Sequence, residues 1–164
     1  MTIFNVCIRR LSVPNPSVLE KGTAIQSELA DAIMARIEPI PAFSAFNIQI
    51  ERFEEGRCIA VVPMKPETNG IFGSYHGGLL ATAADMIACF ALMTQIDPSE
   101  EVATTDLTIH YLAPCMTDVR VDAKVIKCGR TLSPIETRMY DLENRLVAVA
   151  QVTYIRIGKK KNRQ

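Results

Sequence analysis

Fifteen consecutive residues, Leu79 to Met93, are almost entirely apolar, with Thr82 and Asp85 as the distinctly polar members. Ala81, Ala83, Ala84, Ala88 and Ala91 make this run a helix rather than a strand. A helix that is apolar all round must be enclosed by something. At this length, and with a carboxylate inside it, the run is too short to cross a membrane. The remainder of the chain therefore has to supply a wrapping for one helix.

The flanking sequence reads as that wrapping. The pattern predicts a first helix from Thr23, with Gln26 three residues on in a capping-box position. Ile25, Leu29, Ile33 and Ile37 form its apolar stripe, and Pro39 and Pro41 stop it. Phe46, Ile48 and Ile50 then alternate with polar residues, Glu54-Glu55-Gly56 turns, and Arg57 to Pro63 returns as a second strand. After the apolar helix come four more strands: about Ala103 to Tyr111, Val119 to Val125, Thr131 to Tyr140 and Arg145 to Ile157. Pro134 lacks a ladder donor and predicts a bulge or an edge in the third of these. Short turns between successive strands imply antiparallel pairing. The expectation is a single α+β domain over 22–158. An irregular leader over 1–21 precedes it, and a basic tail over 159–164 carrying Lys159, Lys160, Lys161 and Arg163 follows.

Charge narrows the function. Among 164 residues, 18 Lys and Arg balance 18 Asp and Glu, so binding nucleic acid by charge is not expected. The five cysteines are scattered, with no Cys-x-x-Cys pair, which points to a reducing compartment and a cytoplasmic location. Arg9 and Arg10, with no acid before Glu20, form a faint organelle-targeting signal.

Few residues can carry chemistry. The histidines are His76 and His110, and no zinc-protease, nucleophile-elbow, Walker or dinucleotide motif occurs. Two histidines at no recognised ligand spacing argue against a metal site. Asp85 stands out. A carboxylate inside an apolar helix either pairs with a neighbour, or caps a loop, or serves as base or nucleophile beside a pocket. His76-Gly77-Gly78 enters the same helix, nine residues before Asp85. Glycines allow close backbone approach, and a helix N-terminus offers free N–H groups suited to an oxyanion.

His76-Gly77-Gly78-x6-Asp85, the apolar helix and Thr104-Thr105-Asp106-Leu107-Thr108-Ile109-His110-Tyr111-Leu112-Ala113-Pro114 resemble the hotdog-fold acyl-CoA thioesterases of the phenylacetate-pathway (4-hydroxybenzoyl-CoA thioesterase-like) type. Lys127-Cys128-Gly129-Arg130-Thr131 and Leu146-Val147-Ala148-Val149-Ala150-Gln151 extend the likeness, which spans about residues 44–157. The resemblance implies an antiparallel sheet wrapped around the central helix, and a homodimer or homotetramer with sites shared between subunits. It implies acyl-CoA as the bound partner and no cofactor. It puts the catalytic carboxylate at Asp85, the oxyanion N–H at Gly77, a positioning role at His76 and a water-holding hydroxyl at Thr104. Gly78 completes the glycine entry, and Gly129, Arg130 and Thr131 match the segment near the coenzyme A phosphates. The family often carries an Asn six residues before the His. Here that position is Gly70 and Asn69 sits one earlier, so either the loop has slipped by a residue or the Asn role is lost. The competing expectation is a noncatalytic acyl-CoA-binding or ligand-sensing module of the same fold.

Overall fold

The apolar helix, α3 (Gly77–Met93), begins two residues before Leu79 because His76 caps it: its imidazole Nδ1 accepts from the Gly78 N–H at 3.1 Å. The computed structural model describes residues 22–159, so the leader over 1–21 and the tail beyond Lys159 lie outside the described residues. Leu80, Ala83, Ala84, Ile87, Ala88, Ala91 and Leu92 are buried against the sheet. The enclosure is incomplete. Gly78, Thr82, Asp85 and Cys89 form a stripe at helical spacing that is less covered, with Gly78 and Thr82 exposed and Asp85 and Cys89 half-buried.

The sheet has six strands: β1 (Gln49–Glu54), β2 (Arg57–Val62), β3 (Glu100–Tyr111), β4 (Val119–Val125), β5 (Leu132–Tyr140) and β6 (Leu146–Lys159). Their order is β1-β2-β4-β5-β6-β3, antiparallel throughout. This is the hotdog arrangement. The strand after α3 therefore does not pair with its successor. β3 lies beside β6 at the sheet edge, and the 112–118 link carries the chain past β6 and β5 to β4.

Local departures have physical reasons. α1 (Ser27–Ile37) starts four residues later than Thr23, and Gln26 makes no side-chain cap. Ala24 is instead bridged to Glu54, which holds that stretch extended. Pro41 stops one helix and opens another, α2 (Pro41–Phe46), because a proline at the first position lacks only an N–H that would be orphaned there. Phe46 ends α2 rather than beginning a strand. Pro134 sits in an interior strand with no bulge at its position: it pairs with Thr153, and the other side of the ladder ends at Val125, opposite Ile135. Its carbonyl still accepts from the Ile126 N–H, so the missing donor falls where β4 has already stopped.

β3 carries the irregularity that matters most. Its register with β6 slips between Thr104, opposite Tyr154, and Asp106, opposite Thr153, so Thr105 is an extra residue. Strict alternation would put Thr104 on the opposite face from Leu107, Ile109 and Tyr111. The bulge brings them onto the same face, toward α3.

Arg57 anchors the far edge. Its guanidinium makes two bonds to Asp122, at 2.8 and 2.7 Å, and a third to Glu54 at 3.1 Å, all buried. Removing one partner of a buried ion pair strands the other charges. Arg57→Met is expected to destabilise the fold by about 3–5 kcal/mol, read as a lower urea midpoint. An unchanged midpoint would show that Asp122 and Glu54 tolerate burial without it.

Candidate active site

Asp85 sits halfway along the less covered stripe of α3. Two hydroxyls from two strands converge on the same carboxylate oxygen, Oδ1. Thr104 on β3 donates at 2.9 Å, and Tyr154 on β6 lies at 2.6 Å. Tyr154 also lies 2.5 Å from the Asp85 main-chain carbonyl, so its single proton can serve either oxygen. Burial is the main cause of a Tyr154 acidity far below that of an ordinary phenol, with the thiol of Cys89 and the carboxylate of Asp85 adding to it. The phenol remains a neutral donor. No described residue bonds Oδ2, which is left for a small molecule.

Cys89 lies one helical turn beyond Asp85. Burial first, and then the Asp85 charge, push its thiol up to about 12, against a smaller opposing pull from Arg36. It is held as a thiol and is not an activated nucleophile.

The other half of the site is the α3 N-terminus. The Gly77 N–H has no acceptor among the described residues, while the Gly77 carbonyl accepts from the Tyr111 hydroxyl at 2.6 Å. A Cβ on Gly77 would come within 3.1 Å of the Tyr111 ring, and one on Gly78 within 3.2 Å of the His76 ring. Both glycines thus make room for the chain's own rings. A cavity of about 380 Å³ opens here, bordered by Gly77, Leu80, Tyr111 and Leu112.

The remaining sequence candidates are spread out. Asn69 is exposed and bridged to Tyr75 at the base of the loop before His76. Gly129, Arg130 and Thr131 lie in the β4–β5 connection, beside the C-terminal end of α3, where the Cys128 thiol faces the Gln95 carbonyl at 3.9 Å. Arg156, paired with Glu100 at 2.6 and 2.7 Å, holds this turn through the Gly129 carbonyl at 3.1 Å and the Thr131 carbonyl at 2.9 Å. Gly129 is required, since a Cβ there would lie 2.1 Å from the Leu132 carbonyl oxygen. The Arg130 side chain is exposed. Among the described residues no three His, Cys, Asp or Glu side chains cluster to hold a metal, and no helix is long and apolar enough to cross a membrane. A second cavity, of about 310 Å³, lies between α1, α3 and β3 and is lined by Arg36, Ile37, Ile40, Cys89, Phe90 and Met93 among others.

The structure therefore brings Asp85 and Thr104 together, and His76, Gly77 and Gly78 together, but separates the two groups. Eight residues of helix put about 12 Å between Gly77 and Asp85. Tyr154 and Tyr111 escape the sequence reading because nothing in a period-two pattern says which strand lies beside which.

Residues 72–148 match the family model described as thioesterase superfamily. A Halobacterium salinarum protein named "Putative esterase" is 30% identical over 137 residues, covering 80% of this chain and 89% of that protein. The Escherichia coli PaaI protein from the phenylacetic acid degradation operon superimposes with a TM-score of 0.74 at 21% identity, covering 81% of this chain and 96% of that one. The Streptococcus mutans protein smu.793, solved bound to acetyl CoA, superimposes at 0.64 with 23% identity, covering 70% and 92%.

Tyr154→Phe removes one of the two donors to the Asp85 carboxylate. A hydrogen bond to a charged group contributes about 1.5–3 kcal/mol, and urea unfolding of the variant should show a loss of that order at unchanged slope. A variant as stable as the parent would make the Tyr154 contact energetically idle.

Proposed function

This chain belongs to the thioesterase superfamily, and we propose that it hydrolyses an acyl-CoA thioester with Asp85 as general base. The observation that carries this reading is the half-occupied carboxylate: Thr104 and Tyr154 engage Oδ1, and Oδ2 is left open. A water donating one proton to Oδ2 and the other to the Thr104 hydroxyl oxygen attacks the thioester carbonyl. The C–O bond forms as the proton passes to Asp85, and the oxyanion is received by the Gly77 N–H at the positive end of α3. Collapse breaks the C–S bond, and Asp85 returns the proton to the departing thiolate. His76 shapes the donor end by capping α3, which leaves the Gly77 N–H as the exposed donor. On the His76-Gly77-Gly78-x6-Asp85 spacing we assign the chain to the phenylacetate-pathway type. The acetyl CoA bound by the Streptococcus relative supports coenzyme A as the carrier.

One carbonyl cannot touch two groups about 12 Å apart. The working site therefore pairs Gly77 of one protomer with Asp85 of another, in a homodimer or an assembly of such dimers. The less covered stripe of α3 and the twelve-residue β3 at the sheet edge supply the surfaces for it. The Gly129-Arg130-Thr131 turn, with Lys127 beside it, is the proposed grip on the coenzyme A phosphates, because a guanidinium can clasp a phosphate with paired bonds.

Asp85→Asn keeps the shape and removes the base. Acyl-CoA hydrolysis, followed by thiol release, should fall by about 10²–10⁴ in kcat with the fold retained. Turnover at the parent rate would eliminate Asp85 as the base. Arg130→Ala should raise KM for acyl-CoA about tenfold, far more than for a short thioester lacking the nucleotide. Equal losses on both substrates would assign Arg130 to folding or chemistry instead.

A further inference from the structure

Asp85 has no ion-pair partner among the described residues, so two hydroxyls alone hold its charge. In the proposed hydrolysis, the reading on which this inference rests, that charge is lost and regained in every turnover. A hydrogen bond to a charged acceptor is roughly twice as strong as one to a neutral acceptor. Donors fitted to the carboxylate are therefore poorly fitted to the protonated acid. A buried donor left unbonded at that stage would be costly, so it needs a second acceptor within reach.

Tyr154 has one. Its hydroxyl lies 2.6 Å from Asp85 Oδ1 and 2.5 Å from the Asp85 main-chain carbonyl. That carbonyl has two lone pairs, and its own helix uses only one of them. Rotation about the phenolic C–O bond is enough to exchange the two acceptors, since the hydroxyl carries a single proton. Water is a poor substitute there, because Tyr154 is only 3% exposed. Thr104 is less free: it donates to Oδ1, and its oxygen receives the attacking water in the reading above. The neighbouring ionisable groups do not supply a counter-charge. Cys89, one turn along α3, is held as a thiol. Arg156, two residues on along β6, is engaged by Glu100, and Arg36 of α1 bonds the Pro98 and Glu100 carbonyls.

We propose that Tyr154 is a positioning residue that follows the charge of Asp85, donating to Oδ1 while the carboxylate is charged and turning to the main-chain carbonyl once Asp85 holds the proton. No proton leaves the phenol; only its direction changes. In the charged state two donors on Oδ1 fix the carboxylate plane and aim Oδ2 at the water. In the neutral state the phenol stays bonded, so the intermediate strands no buried donor.

The test labels the full-length protein with tyrosine carrying 13C at Cζ. Donation to a charged acceptor moves that carbon's resonance toward the tyrosinate position. The chain has four tyrosines, and the line lost in Tyr154→Phe belongs to Tyr154. Asp85→Asn puts a neutral side chain of the same shape in place of the carboxylate. In that variant the Tyr154 line should move upfield, away from the tyrosinate position, while those of Tyr75, Tyr111 and Tyr140 stay. If Tyr154→Phe folds too poorly to give the assignment, one moving line among four is the expected result. Four unmoved lines, or an unmoved Tyr154 line, would overturn the proposal, because the phenol would then bond the carbonyl whatever the charge. In parallel, Tyr154→Phe should lower kcat for acyl-CoA about tenfold with KM unchanged. A raised KM at the parent kcat would make Tyr154 a substrate contact, and unchanged constants would make its hydroxyl idle; either overturns the positioning role. If the parent protein hydrolyses no thioester, the hydrolase reading fails, while the labelled spectra still decide whether Tyr154 follows the charge.

Discussion

The three-way contact among Asp85, Thr104 and Tyr154 ties the central helix to the two strands at one side of the sheet. A carboxylate on a mostly buried helix costs several kcal/mol unless it is hydrogen-bonded. Each hydroxyl donor to a charged oxygen offsets about 1.5–3 kcal/mol of that cost. Two donors on one oxygen fix the rotation of the carboxylate plane as well as its position. What would be a liability in the core thereby becomes an oriented group with one oxygen still available. Tyr154 is suited to the task because burial keeps its hydroxyl protonated, so it remains a donor.

The alanines of α3 determine how closely the rest can approach. Ala83, Ala84, Ala88 and Ala91 are fully buried, and their short side chains let the sheet curve in against the helix backbone. The stripe of Gly78, Thr82, Asp85 and Cys89 is built from small or polar residues instead, and β3 and β6 cover it only in part, through Thr104 and Tyr154 at Asp85. That face lies beside β3, the strand at the edge of the sheet. The same geometry divides the chemistry, with an N–H donor at one end of α3 and a carboxylate near its middle.

The central helix, the antiparallel character and the oddity of Asp85 in its helix are legible because they rest on local signals: alanine content, period-two alternation and one charge out of place. Less legible was everything that depends on which strands become neighbours. The β3–β6 pairing joins residues about fifty positions apart, and it is this pairing that sets Thr104 opposite Tyr154. The Gln26 capping box failed because Ala24 is claimed by Glu54, a long-range competitor that no capping rule anticipates. Pro41 signals a stop in the sequence, although the same residue type is a good helix start and opens α2. The rings of Tyr111 and His76 that lie against Gly77 and Gly78 are likewise invisible to a local pattern, because Tyr111 arrives from a distant strand.

The extra residue at Thr105 stores information as a count. On exposure alone this part of β3 would be judged dispensable, because Thr104, Thr105 and Asp106 are all exposed in the protomer. Yet Thr104 reaches Asp85 and Tyr111 reaches Gly77 only because the number of residues between them is offset by one from simple alternation. Removing any single residue from that stretch would turn one of the two hydroxyls away from α3, whatever the chemical identity of the residue removed. A change of length is therefore costly here apart from any loss of side-chain chemistry, because the strand's phase is held by its arithmetic.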